Sequence, residues 1–227
     1  MGFGFSQARA CQERRTPHAP VPTGCYANAS RWASEPQKGK YVLITTLTRE
    51  INNLSRKKEV VLIAIVGVGG AGKTSLAELL QKEIGNGVII QLDDFYSPIL
   101  QAADLQRLKE QVILPLHNHQ EARYQNYEWK TDSLSDWHIL KPEGIFIFEG
   151  VYALENNLRE YYDLKIWIDC PAVLGIKRGI ARDIERDGVD NTDKWINIWS
   201  PLENKYKNEQ EPDKTADYII DGTQSLT

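Results

Sequence analysis

A run of aliphatic, mostly β-branched residues, Val60-Val61-Leu62-Ile63-Ala64-Ile65-Val66, passes directly into Gly67-Val68-Gly69-Gly70-Ala71-Gly72-Lys73-Thr74. Ser75-Leu76-Ala77-Glu78-Leu79-Leu80-Gln81-Lys82 then switches to helical spacing. A continuous apolar run of this length suits a strand buried on both faces of a parallel sheet. The glycine segment satisfies every fixed position of G-x-x-x-x-G-K-[ST], the phosphate-binding loop pattern. Strand, glycine loop and helix in that order constrain the chain to an α/β architecture, with the loop at the sheet's carboxyl edge.

The chemistry explains the residue types. Glycines let a backbone approach a ligand closely and take conformations barred to other residues. The N–H groups of such a loop point at phosphate oxygens, and the helix behind adds its positive end. Residues Gly67, Gly69, Gly70, Ala71, Gly72, Lys73, Thr74 and Ser75 are therefore the expected nucleotide cradle. Lys73 would reach the β- and γ-phosphates, and the Thr74 hydroxyl would hold Mg²⁺.

Composition removes several function classes. The chain has 227 residues with 41 % hydrophobic and 26 % charged content, as expected of a folded domain. A net charge of −4 argues against a general nucleic-acid binder. No stretch of 18 apolar residues occurs, so no membrane span is expected, and the N-terminus has no secretory apolar region. Cys11, Cys25 and Cys170 are odd in number and form no C-x-x-C pair, which points away from zinc and disulfides and towards the cytoplasm. Cys170 ends an apolar run and reads as a small buried side chain.

Residues 1–40 carry Pro17, Pro20, Pro22 and Pro36 with few large aliphatics and read as a disordered extension. The domain is expected over 41–227. Leu43, Leu47, Ile51 and Leu54 predict a leading amphipathic helix. Strands are expected at 59–66, 87–92, 144–149, 164–170 and 217–221. Helices are expected at 73–84, 102–114, 151–160, 171–186 and 191–208. This alternation implies a parallel five-stranded sheet with helices on both faces. The less regular segment 115–143, with Tyr124, Tyr127 and Trp129, reads as an insertion beside the cleft.

Three further features bear on chemistry. Leu92-Asp93-Asp94-Phe95-Tyr96 follows the second strand. A carboxylate there could take a proton from an attacking hydroxyl, help place Mg²⁺, or merely cap a turn. Ile145-Phe146-Ile147-Phe148-Glu149-Gly150 is an apolar strand ending in an acid, which would lie near the metal or the acceptor, or be a solvated strand end. Arg178, Arg182 and Arg186 recur at four-residue spacing and share a helix face. Three guanidiniums in a row suit a migrating phosphoryl charge, though Asp183 and Glu185 also fit an exposed charged face.

With GVGGAGKTS, LDDFY, IFIFEG and RGIARDIERDG in place, the chain over about 41–222 resembles the uridine kinase and phosphoribulokinase family of P-loop kinases. The resemblance implies a P-loop NTPase fold with a helical lid, ATP and Mg²⁺ as cofactors, and a small-molecule acceptor. It makes Asp93 the catalytic base, Glu149 the acid near magnesium and acceptor, and Arg178, Arg182 and Arg186 lid residues. Tyr96 belongs to the LDDFY segment, and Tyr124, Tyr127 and Trp129 to the border of the acceptor pocket. The implied acceptor is the 5′-OH of a pyrimidine nucleoside, with nicotinamide riboside, pantothenate, glycerate or a sugar phosphate as alternatives. Uridine kinases usually have Asp where Glu128 stands and a His-Ser-Arg stretch soon afterwards, where this chain reads Lys130-Thr131-Asp132-Ser133. A nucleotide-dependent switch would need a guanine-reading Asn-Lys-x-Asp. Asn204-Lys205-Tyr206-Lys207 lacks that Asp. A homo-oligomer stays open.

Overall fold

The computed structural model describes residues 40–95, 102–128 and 131–224. The expected extension up to residue 39, Tyr96 and Trp129 lie outside the described residues.

The strand β2 (Val60–Val66) is the axis of the molecule, and all seven of its residues are buried. It lies between β8 (Gly144–Glu149) and β9 (Leu164–Asp169), with β3 (Gly87–Gln91) beyond β8 and β10 (Tyr218–Asp221) beyond β9. Every pairing is parallel. A two-residue strand β1 (Lys40–Tyr41) adds a sixth, edge position beside β10, registering Lys40 with Tyr218. Lys40, the last residue of the expected extension, is thus the first of this strand. Two residues carry too little pattern to be read as a strand in advance.

Alternation along β2 divides the core. Val61, Ile63 and Ile65 face a layer containing Leu47 and Ile51 of α1 (Ile44–Ser55) and Leu76, Ala77 and Leu80 of α2 (Lys73–Ile84). Val60, Leu62, Ala64 and Val66 face the opposite layer. There Leu108, Val112, Ile113 and Leu116 come from α3, which spans 102–117 with a π turn at Lys109–Ile113. Burying each such aliphatic side chain contributes about 1.5–3 kcal/mol. Helices on both faces are what a fully apolar central strand demands.

The helix expected at 151–160 is not formed; the chain makes successive tight turns there and one 3₁₀ turn at Arg159–Tyr161. Ala153 and Leu158 donate to carbonyls three residues back, at Gly150 and Glu155. The Glu155 carboxylate accepts the Asn157 N–H at 2.8 Å, and Gln210 takes that of Asn156. Such side-chain acceptors compete with helical bonds. The apolar spacing that suggests a helix instead buries Ala153, Leu154 and Leu158 from a turn.

The segment 115–143 forms two small antiparallel ladders. One pairs β4 (Ala122–Tyr124) with β7 (His138–Leu140), and the other β5 (Tyr127–Glu128) with β6 (Ser133–Leu134). The remaining helices are α4 (Ala172–Asp187), α5 over 192–210 with a π turn at Trp195–Trp199, and the short α6 (Pro212–Thr215).

Candidate active site

Sheet register brings the chemistry together. Ile65 of β2 and Gln91 of β3 both register with Glu149 of β8, so the three strands end at one level. The glycine loop leaves β2 there, and the 3₁₀ turn Leu92–Phe95 leaves β3 there. Glu149 lies between them.

The loop is shaped by its glycines. Gly70 has φ 71° and Gly72 has φ 98°, left-handed conformations that strain a residue with a Cβ. Gly72 then starts α2, whose first residues are Lys73 and Thr74. Lys73 Nζ donates to the Val68 carbonyl at 3.1 Å. The Thr74 hydroxyl donates to Glu149 Oε1 at 2.9 Å. Glu149 is only 6 % exposed, and burial pushes its carboxyl above the usual range; Lys73 and the Thr74 bond oppose that shift, and Asp93 adds to it.

Hard oxygen atoms from Thr74 and Glu149 fit Mg²⁺, which is held by few protein oxygens and keeps waters and phosphates. Among the described residues no three His, Cys, Asp or Glu side chains gather into a metal site, so phosphate oxygens and water would complete the shell. Bound there, the ion would supply charge neutralisation of the triphosphate.

Beside the loop lies a cavity of about 460 Å³. Residues 70–75 line one side of it, and Arg178, Arg182, Arg186 and Gln224 line the rest. The three arginines expected to act together do lie together. Arg178 donates to the carbonyls of Gly222 at 2.6 Å and Thr223 at 2.9 Å, which ties α4 to the end of β10. Arg182 pairs with the buried Asp183, and Arg186 pairs with Asp187 at the exposed rim. The Arg186–Asp187 pair is exposed and of a kind that contributes about 0–1 kcal/mol, so that guanidinium can change partner at small cost, whereas the Asp183 carboxylate that Arg182 meets is buried.

Asp93 is exposed on the 3₁₀ turn, and its charge reaches Glu149, Glu203 and Arg186. Asp94 is half-buried; burial and then the Asp93 charge push its carboxyl up to about 6. Tyr124 is buried and stacks on Phe95 at 5.3 Å, and its ring lies 5.2 Å from that of His138. It anchors the insertion to the acidic turn. The strand β5 packs on the same turn. Its Tyr127 hydroxyl bonds Asp132 within its own ladder.

Several residues at the site were not legible beforehand. Arg107 of α3 donates to the Phe95 carbonyl at 2.6 Å and the Gln125 carbonyl at 2.7 Å, joining the acidic turn to the insertion. Glu203 of α5 accepts the Gly69 N–H at 2.9 Å. Asp183, only 4 % exposed, accepts the Trp195 indole N–H at 2.8 Å and the Asn191 amide at 3.2 Å. The spacing of Trp195, Trp199 and Tyr206 suggests core or interface; Trp195 and Tyr206 are indeed buried, and Trp195 covers the phosphate loop. No local pattern marks such long-range pairs.

The model of the Phosphoribulokinase / Uridine kinase family matches residues 93–224, and that of Zeta toxin matches 44–123. A uridine kinase of Macrococcus caseolyticus is 32 % identical over 181 residues, covering 70 % of this chain and 86 % of that protein. One from Geobacillus sp. is 30 % identical over 185 residues, covering 72 % and 86 %. Among solved structures, a possible uridine kinase from Bacillus stearothermophilus superposes with a TM-score of 0.55 at 20 % identity, covering 78 % of this chain and all of that one. A D-glycerate 3-kinase from Cryptococcus neoformans gives 0.53 at 14 %, covering 80 % and 96 %. These two likenesses show the P-loop kinase fold alone. By the matched model and the identity to its relatives, the chain belongs to the phosphoribulokinase / uridine kinase family of ATP-dependent phosphotransferases that act on a hydroxyl group.

Proposed function

We propose that this chain transfers the γ-phosphoryl of ATP to the 5′-hydroxyl of a pyrimidine nucleoside. The observation that carries the reading is the common edge at which the phosphate loop, Glu149 and the acidic turn meet. Relatives named uridine kinase, aligned over about 70 % of the chain, support the choice of acceptor.

In this reading the triphosphate lies along residues 70–75, under the arginines of α4. Asp93 accepts the proton of the 5′-hydroxyl as its oxygen attacks the γ-phosphorus, and the bond to the bridging oxygen of ADP breaks. Positioned bases of this kind contribute about 10²–10⁴-fold in rate. Lys73 and the arginines stabilise the equatorial oxygens as charge moves. Arg186 exchanges its neighbouring aspartate for phosphate oxygens, and Arg182 lines the same cavity. The insertion, held on the acidic turn by Tyr124 and Arg107, borders the acceptor. Magnesium at Thr74 and Glu149 belongs to the same reading, as do a cytoplasmic setting and small-molecule partners in place of nucleic acid or membrane.

The test is an acceptor screen with ATP-Mg²⁺ read by product mass. Uridine or cytidine should gain one phosphoryl group and be the preferred acceptors. Turnover of glycerate, pantothenate, nicotinamide riboside or a pentose phosphate with none on pyrimidine nucleosides would reject this acceptor.

A further inference from the structure

The phosphate-loop pattern fixes positions 67, 72, 73 and 74 and leaves 69 free, yet this chain has glycine there. A Cβ on Gly69 would lie 2.5 Å from Cζ3 of Trp195 and 2.8 Å from Oε1 of Glu203. Both residues come from α5, far along the chain. Glycine at 69 is therefore required by protein packed against the loop, whatever the phosphates need.

The two contacts share one helix face because of the π turn. Eight residues of regular α-helix would set Trp195 and Glu203 about 80° apart. The π turn at Trp195–Trp199 takes up one extra residue, so the spacing behaves like seven and the offset falls to about 20°. Trp195 is fixed in turn. Its indole N–H bonds the buried Asp183, and its ring lies so close to Gly179 of α4 that a Cβ there would meet it at 2.3 Å. With Trp195 seated, Glu203 Oε2 receives the Gly69 N–H.

Placing a carboxylate there has a cost. Burial and the Asp93 charge raise the Glu203 carboxyl; the Gly69 bond and Lys73 lower it. A like charge next to a triphosphate site does nothing for nucleotide affinity by itself. What the geometry supplies is an oxygen acceptor at a fixed place on the loop.

We propose that Glu203 is a positioning residue that holds the Gly69 amide and so keeps the phosphate loop in the form that receives the triphosphate. The proposal deepens the site reading above and rests on ATP binding at this loop, whichever acceptor the enzyme takes. A loop already ordered in the free protein does not pay its ordering entropy when the ligand arrives. The contact requires an acceptor oxygen and not a charge, so glutamine should replace glutamate.

The experiment is ATP-Mg²⁺ affinity by calorimetry on the full chain without acceptor, for wild type, Glu203→Gln and Glu203→Ala. Glu203→Ala should bind about ten-fold more weakly than Glu203→Gln, since both lose the charge and only glutamine keeps the ordering hydrogen bond. Glu203→Gln should stay within about two-fold of wild type or bind more tightly, since its amide oxygen keeps the bond and the like charge is gone. Equal affinity in Glu203→Ala and Glu203→Gln overturns the proposal. Failure of the unaltered chain to bind ATP would overturn the site reading as well, whereas rejection of nucleosides as acceptors leaves this test intact. Should Glu203→Ala not fold, amide hydrogen exchange on the unaltered, nucleotide-free chain decides. A slowly exchanging Gly69 N–H supports the proposal, and exchange at the free-peptide rate overturns it.

Discussion

Asp93 and Asp94 are adjacent in sequence and unlike in surroundings. Asp93 is exposed and faces the groups of the phosphate edge, whereas Asp94 is half-buried among Asp93, Glu128, Tyr124 and His138. Asp93→Asn removes the proton acceptor without touching the loop. It should lower kcat by about 10²-fold or more while ATP affinity stays within about two-fold. Steady-state kinetics beside calorimetry measures both, and an unchanged kcat would remove Asp93 from the role of base. Asp94 has a different signature. Its value in the fold is about 6 against an ordinary 3.8, so the fold binds that proton more tightly than the unfolded chain does. Stability from this group is full below 3.8 and is lost as pH rises through 6. Allowing for solvent screening, the loss is about 1–2 kcal/mol. Asp94→Asn should abolish that part of the pH dependence and be the more stable protein at pH 7. Urea midpoints at pH 4 and pH 7 would show it.

At the scale of elements, α4 and the phosphate loop are built against each other. A Cβ on Gly175 would come within 2.3 Å of the Gly69 carbonyl, and one on Gly70 within 2.0 Å of the Gly175 carbonyl. Backbone meets backbone there, with no flexible side chain to yield. Gly175→Ala should therefore cost about 1–3 kcal/mol, the range for overpacking, and weaken ATP binding at the same time. Thermal melts with and without nucleotide would read both effects, and a neutral Gly175→Ala would rule out a tight backbone contact there. The elements themselves were unevenly legible. The course β2, loop, α2 was readable because an apolar strand, a glycine pattern and a helical period each stand in a few contiguous residues. The arginine row was readable because four-residue spacing is a helix face. Residues 151–160 misled because apolar spacing reports burial, and here turns achieve the burial. Glu203 and Arg107 gave no signal because their partners lie 134 and 18 residues away in the chain, and Asp183, whose spacing fits an exposed charged face, is instead buried against Trp195, 12 residues on.

For the whole molecule, every described residue falls within the compact unit that begins at Pro36. A chain of residues 36–227, which keeps every described residue, should thus fold and turn over ATP and acceptor within about two-fold of the full chain. Comparing kcat/KM of the two chains tests this, and a loss of ten-fold or more would give residues 1–35 a part in the site. The sheet sets where motion can occur. At its first turns α4 is rooted on the glycine loop by Gly175, and Arg178 clasps the carbonyls after β10. Arg186 lies roughly 16 Å farther along the axis than Gly175, at 1.5 Å per residue. A rigid swing of about 10° about that root would carry the tip by about 3 Å and move Arg178 by less than about 1 Å, on the same helical rise. A helix so rooted would act as a lever with its fulcrum on the phosphate loop: in any such swing the inner guanidinium would move least and the outer two most.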